Sequence, residues 1–416
     1  MANQTCLIKT ENHLGHGEPT TEPWSTGKGW KAEDFVNLET PCFVVDEKKI
    51  EHNLKILSRV QKQAGCKILL ALKGFSMFSV SPLVKKYLSG TEASSIDEAR
   101  LGCEEFSGET HTFSPAYTEK NIADYIKYSD HLIFNSFSQW KRIRPIILKS
   151  KNLPAGRHGK VSCGLRVNPE HCETGTPMYD PCGPNSRLGI IRKNFEEQEL
   201  GGIEGLHYHN LCQLNADAMV RTLEAFEEKF GEFLPRMKWV NFGGGHHITR
   251  RDYDVDLLIK TIKAFKKRHP HLQVYLEPGE AVGLNAGVLV TSVEDIIDND
   301  MNIAILDFSA AAHVPDILEM PYKPTILGAD TGKKYPHLYR LGGPSCLAGD
   351  VIGNYTFKKK LAIGDKMIFL NMAIYTMVKT NTFNGIRLPS IFLRKLSGKF
   401  KLVKKFGYQD FKERLS

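Results

Sequence analysis

A chain of 416 residues with a formal charge of +8 has the length of about two domains of ~100–200 residues each. No stretch approaches the ~20 consecutive apolar residues of a membrane-spanning helix. Nine cysteines at irregular spacing, without a C-x-x-C pair, fit neither a disulfide framework nor a zinc ribbon and point to a reducing cytoplasm.

In chain order, residues 1–37 carry no apolar segment behind basic residues, so no secretory signal is visible and they read as a flexible extension. Residues 38–46 contain the apolar run Cys42–Val45, expected to pair with a sheet formed later in the chain. Residues 47–286 open on a helix at Lys48–Ala64 and then alternate short apolar strands with amphipathic helices. The strands are predicted at Ile68–Leu72, Thr91–Ala93, His111–Ser114, His131–Asn135, Gly164–Val167, Gly205–His209, Trp239–Phe242 and Val274–Glu277. Helices are predicted between them at Ser81–Leu88, Ile96–Phe106, Glu119–Tyr128, Asp217–Phe230 and Asp254–Arg268, several behind Ser, Thr or Asp caps. Eight such units describe a TIM-type (β/α)8 barrel. From 287 to 416 the pattern turns β-rich, with strands at Val288–Val293, Ile303–Phe308, His337–Leu341 and Lys366–Leu370. This is a C-terminal all-β domain that also takes in the N-terminal strand. The basic residues Arg394, Lys395, Lys399, Lys401, Lys404 and Lys405 follow no nucleic-acid-binding pattern and read as a solvated face or subunit contact.

A barrel of this kind keeps its chemistry at the C-terminal ends of its strands. Lys73 ends the run Lys67-Ile-Leu-Leu-Ala-Leu-Lys73; in the barrel mouth, desolvation and nearby cations would lower its pKa for Schiff-base chemistry, although a strand-end lysine is more commonly a solvated surface group. In Gly205-Leu-His-Tyr-His209-Asn-Leu-Cys212, strand alternation places His207 and His209 on one face. A zinc set would add Cys212 and His246 or His247, but no carboxylate partner or familiar spacing supports it; the other reading stacks a histidine on a flat cofactor. Trp239-Val-Asn-Phe-Gly-Gly-Gly245 is the seventh barrel strand running into three glycines, either a tight turn or a phosphate loop of backbone N–H groups. Val274-Tyr-Leu-Glu277-Pro-Gly-Glu280 places Glu277 either as a turn cap or beside the ring nitrogen of a pyridine cofactor, kept protonated by a charge-assisted hydrogen bond.

From about Leu38 onward these residues resemble the fold-type III, alanine racemase-like pyridoxal-phosphate decarboxylases, the group of ornithine and diaminopimelate decarboxylases. The resemblance implies pyridoxal 5'-phosphate on Lys73, His209 against its ring, Gly243, Gly244 and Gly245 around its phosphate, and Glu277 on the pyridine nitrogen. It matches Gly343-Pro-Ser-Cys346-Leu-Ala-Gly-Asp350 and Asn371-Met-Ala-Ile-Tyr375 to segments delivered across a homodimer interface, Cys346 acting on the substrate carbon and Tyr375 approaching the phosphate. Where diaminopimelate decarboxylases carry Arg after Glu-Pro-Gly and a Cys-Glu-Ser run, this chain has Glu280 and Cys346-Leu347-Ala348. A desolvated polyamine tail wants carboxylates where a second amino-acid head wants arginine. In this respect the chain is similar to the carboxynorspermidine/carboxyspermidine decarboxylase family, which implies release of carbon dioxide to give norspermidine or spermidine in polyamine biosynthesis, without metal, nucleic acid or membrane. Glu280, Asp316, Cys346 and Asp350 become the substrate-contact candidates. The competing readings are a diaminopimelate or other amino-acid decarboxylase, a non-catalytic pyridoxal-phosphate carrier, and a zinc hydrolase on His207, His209 and Cys212.

Overall fold

The computed structural model describes residues 27–149 and 160–416, so most of the expected N-terminal extension lies outside the described residues. Strand β1 (Cys42–Asp46) leads directly into helix α1 (Glu47–Ala64). Asp46 caps the helix by accepting from the N–H groups of Lys48 and Lys49, and Gly65 ends it at φ 66°, a left-handed value at which glycine pays no Cβ penalty. The stripe Ile50, Leu54, Leu57 and Val60 is buried, as a 3.6-residue period requires.

Eight parallel strands then close a barrel: β2 (Lys67–Ala71), β3 (Gly90–Ala93), β4 (Glu109–Phe113), β5 (His131–Phe134), β6 (Ser162–Arg166), β7 (Gly205–His207), β8 (Trp239–Asn241) and β9 (Gln273–Leu276). Their nearly continuous burial is that of a parallel sheet covered on both faces. Inside, the Trp239 indole fills space against β6 and β7, where a Cβ at Gly164 or Gly205 would overlap its ring. Its Nε1–H donates to Ser162 Oγ at 2.9 Å.

Two departures from eight regular strand–helix units matter. Helix Phe137–Lys149, which the periodicity did not single out, follows β5 with Pro145 inside it. The connection from β6 to β7 holds no α-helix, only short 3-10 turns at Pro177–Tyr179, Arg192–Asn194 and Glu197–Glu199. Part of this long loop, including Thr174, Tyr179 and Arg187, lines the cavity at the barrel mouth, a use typical of loops of this length.

The second unit is a sheet of β10 (Gly287–Asp298), β11 (Asn302–Leu306), β12 (Ala329–Asp330), β13 (His337–Gly342), β14 (Val351–Phe357), β15 (Lys366–Leu370), β16 (Ser390–Arg394) and β17 (Phe400–Lys404), joined by β1. β1 pairs antiparallel with β10 and parallel with β16, so the expected docking of the N-terminal strand is observed. The basic tail is built into this sheet as the β16–β17 hairpin. Several of its cations pair within the chain, Lys395 with Glu47 at 2.7 Å and Lys405 with Glu39 at 2.6 Å. Among the described residues no helix is long and apolar enough to cross a membrane.

Candidate active site

A cavity of about 1330 Å³ opens at the C-terminal ends of the barrel strands. Two residues past β2, Lys73 reaches into it and donates from Nζ to Glu92 Oε2 at 2.7 Å. Glu92 stands in β3, 2% exposed. Burial favours the neutral amine, but the charges of Glu92 and Glu277 and the hydrogen bond to Glu92 outweigh it and push the Lys73 pKa up. The expected downward shift is therefore reversed: a buried carboxylate one strand away holds the lysine as an ammonium.

Glu277, just past β9, is a buried anion of the site with two side-chain partners. Its Oε1 accepts from Asn241 Nδ2 at 2.5 Å and its Oε2 pairs with His207 Nε2 at 3.2 Å. Burial raises its pKa, and the charge and hydrogen bond of His207, with the charge of Lys73, more than reverse this and hold it well below the usual carboxylate range. His209 is pushed well below the ordinary histidine pKa, first by burial, then by Lys73 and Arg166. Its Nδ1 accepts from the backbone N–H of Gly244 at 3.0 Å, which fixes the neutral tautomer with hydrogen on Nε2. Arg166 braces this side, donating to His209 O at 3.0 Å with its guanidinium 4.5 Å from the Phe113 ring centroid.

The glycine run serves a different purpose from the one expected of it. A Cβ at Gly243, Gly244 or Gly245 would overlap the backbone oxygens of Tyr208, Glu277 and Leu211 respectively, so the run lets three chain segments converge. The N–H groups of Gly243 and Gly244 are already given to Asn241 Oδ1 and His209 Nδ1. Of the three glycines only Gly245 lines the cavity. Gly243 and Gly244 thus hold Glu277 and His209 in place, which leaves Gly245 as the one of the three expected phosphate contacts that borders the cavity.

Farther along the cavity, Glu280 accepts from Gln213 Nε2 at 3.0 Å and pairs with His247 Nε2 at 2.6 Å. Burial raises its pKa, but His247 and Gln213 outweigh it and leave it lowered. Asp316 also lines the cavity, ion-paired with Lys379, which holds Glu319 as well.

The family model described as pyridoxal-dependent decarboxylase, C-terminal sheet domain, matches residues 42–373. The chain belongs to the pyridoxal-dependent decarboxylases. It is a carboxy-lyase of that family, similar to a carboxyaminopropylagmatine decarboxylase of Synechocystis, 43% identical over 91% of this chain and 96% of the relative. A carboxynorspermidine/carboxyspermidine decarboxylase of Campylobacter jejuni is also 43% identical, over 91% of this chain and 98% of its own. The crystal structure of carboxynorspermidine decarboxylase from Campylobacter jejuni complexed with norspermidine has a TM-score of 0.83, at 43% identity, covering 91% of this chain and all (100%) of that one.

The residues present suit a pyridoxal cofactor. A buried carboxylate, a lysine and a neutral imidazole share one cavity, with the buried His246 beside Gly245. Burial pushes His246 down to about 4 against its backbone hydrogen bonds to Phe242 and Gly243, so a neutral imidazole lines this end of the cavity. A metal suits the cluster of His207, His209 and Glu277 less well, since Nε2 of His207 and Nδ1 of His209 are already committed. Cys212 lines the cavity but is not part of that cluster. A second cluster, Glu109, His111 and His131, lies toward the opposite end of the barrel. Its two imidazoles stack at 3.8 Å and 11°, so their in-plane lone pairs do not converge on one ion, and Lys67 pairs with Glu109.

Tyr375, Asp350 and Cys346 stand differently with respect to the cavity of their own chain. Tyr375 lines the cavity of its own chain rather than being delivered from a neighbour, because its N–H donates to Gly74 O at 2.9 Å, next to Lys73. Asp350, expected as a substrate contact, is 4% exposed and accepts from Ser309 Oγ at 2.8 Å and Ser345 N at 3.1 Å, so in its own chain it ties down the 343–350 loop and does not line the cavity. Cys346 is exposed and lies outside the cavity, its N–H donating to Asn384 Oδ1 at 2.8 Å. Sequence reasoning missed Glu92, Arg166 and Asn241. Glu92 had a signal, a carboxylate at the end of a short barrel strand beside the one that ends in Lys73.

Proposed function

We propose that this decarboxylase acts on carboxynorspermidine or carboxyspermidine, releasing carbon dioxide to give norspermidine or spermidine, with pyridoxal 5'-phosphate on Lys73. The observation that carries the substrate is the pair of carboxylates, Glu280 and Asp316, that line the cavity. No lysine or arginine among the described residues pairs with Glu280, and Asp316 and Glu319 share the single cation of Lys379. The carboxylates of Glu280, held by His247 and Gln213, and of Asp316, held by Lys379, are thus acceptors in the cavity for the secondary and terminal amines of a carboxylated triamine. The far end of diaminopimelate carries an ammonium and a carboxylate, and a carboxylate beside Glu280 would meet a like charge that no lysine or arginine pairs with among the described residues.

When bound, the cofactor supplies the electron sink for loss of carbon dioxide from the α-carbon. Glu277 would keep the ring nitrogen protonated, and His207 and Asn241 hold that carboxylate in position. His209 supports a ring face, while Gly245, His246 and Tyr375 serve its anionic end. Lys73 carries the cofactor and, as an ammonium beside Glu92, is a proton source at the reacting carbon. Glu280 and Asp316 orient the tail. The exposure of Cys346 outside its own cavity supports a homodimer in which this loop completes the neighbouring site. A cytoplasmic setting is supported by the eight described cysteines, Cys42, Cys66, Cys103, Cys163, Cys172, Cys182, Cys212 and Cys346, all free thiols.

The equal identity to the Synechocystis enzyme favours one second reading, a carboxylated tail ending in a guanidinium. Carbon dioxide release from carboxynorspermidine, carboxyspermidine, carboxyaminopropylagmatine and diaminopimelate by the purified, cofactor-loaded protein separates them. The expected order places the first two ahead; a preference for diaminopimelate would overturn the proposal.

A further inference from the structure

Lys379 is a lysine inside the cavity at the place where a cationic substrate tail needs acceptors. Its side chain is 31% exposed, and it ion-pairs with both Asp316 and Glu319, the first and last residues of the short helix Asp316–Glu319. Lys379 ends the short helix Thr376–Lys379, whose N-cap is Tyr375. Tyr375 sits at φ 51° and ψ −50°, and Thr376 N donates to Ile374 O at 2.5 Å, the geometry of a strained γ-turn that is kept only where the surroundings enforce it. Tyr375 N donates to Gly74 O, and Lys379 N donates to Tyr375 O, each at 2.9 Å. One hydrogen-bonded segment therefore ties the backbone beside Lys73 to the backbone of Lys379.

We propose that Lys379 is a specificity-determining residue that sets how much positive charge the far end of the cavity accepts. The inference rests on the polyamine reading above. Asp316, Glu319 and Lys379 together carry one net negative charge. One terminal ammonium balances it, and a tail with a further ammonium is refused because Lys379 already fills that place. Rejection by a like charge on the wrong partner is a common route to specificity. Because the Lys379 backbone is anchored through Tyr375 to the segment beside Lys73, charge and length are read together.

The test uses cofactor-loaded full-length protein as wild type, Lys379→Met and Lys379→Arg. Calorimetry measures the affinity of norspermidine and of the linear tetraamine with one more aminopropyl unit, and steady-state kinetics with carboxynorspermidine give kcat and KM separately. In Lys379→Met the tetraamine-to-triamine affinity ratio should rise about tenfold, the scale of one partly exposed charge, while Lys379→Arg keeps the wild-type ratio. The kinetic change should fall on KM more than on kcat. An unchanged ratio in Lys379→Met, or a fall in kcat with the ratio intact, overturns the proposal and marks Lys379 as packing only. If wild type prefers diaminopimelate as substrate, the polyamine reading fails on the kinetic arm, while the binding ratio still decides the role of Lys379.

Discussion

Replacing Glu92 by Gln keeps the side-chain volume and removes the charge that holds Lys73 protonated. The carboxylate is 2% exposed and 2.7 Å from Lys73 Nζ. Removing one partner of a fully buried pair costs about 3–5 kcal/mol; Lys73 keeps 33% of its side chain exposed, and screening there reduces the figure to roughly 2 kcal/mol. For a domain of this size that is a fall in Tm of about 4–8 °C in cofactor-free protein. The folded pKa of Lys73 is raised, so this stabilisation is fully present below the ordinary lysine pKa and is lost as pH rises through the higher folded value. The gap between wild type and Glu92→Gln should close only in alkaline solution. Capture of the cofactor aldehyde needs the neutral amine, so the variant should capture it at lower pH than wild type. Scanning calorimetry and stopped-flow absorbance across pH read the two effects. Equal Tm values and superimposable capture profiles would refute the reasoning.

Glu280→Gln should raise KM for carboxynorspermidine about 10–100-fold, the worth of one charge-assisted hydrogen bond, with a smaller change in kcat; steady-state kinetics check this. Mixing Lys73→Ala with Cys346→Ala protein should restore about one quarter of wild-type activity, because random pairing makes half the dimers mixed and each then holds one complete site. No recovery on mixing would count against the shared site. Glu277 has a depressed folded pKa, so its stabilisation is present above the ordinary carboxylate pKa and lost as pH falls through the folded value. Urea unfolding in acid should show Glu277→Gln with a flatter decline than wild type. Gly205→Ala, whose Cβ would overlap the Trp239 ring, should lose about 1–3 kcal/mol in the same urea assay.

The barrel was legible because buried parallel strands are apolar runs in themselves, as in Lys67–Ala71, and need no knowledge of their neighbours. Helix Phe137–Lys149 escaped because Pro145 and its basic residues dilute the apolar stripe. The β16–β17 hairpin escaped because an exposed edge strand rich in lysine has the composition of a solvated tail. Lys73 and Glu277 were readable as polar residues at the ends of apolar runs. The direction of the Lys73 shift was not, since it depends on a carboxylate brought alongside by strand pairing. The glycines showed that something approaches closely there, but not that the approach includes backbone from Tyr208, Glu277 and Leu211. Asp350 lies four residues after Cys346, and only its burial against Ser309 separates a loop anchor from a substrate contact.

The polyamine claim meets its most direct test when carboxynorspermidine and diaminopimelate compete at equal concentration for the cofactor-loaded protein and the triamine and lysine formed are counted. Glu280 and the Asp316–Glu319–Lys379 group predict triamine in excess by about a hundredfold or more, as for other sites whose buried polar groups match one ligand and are left unpaired by another. Lysine as the main product would contradict the account.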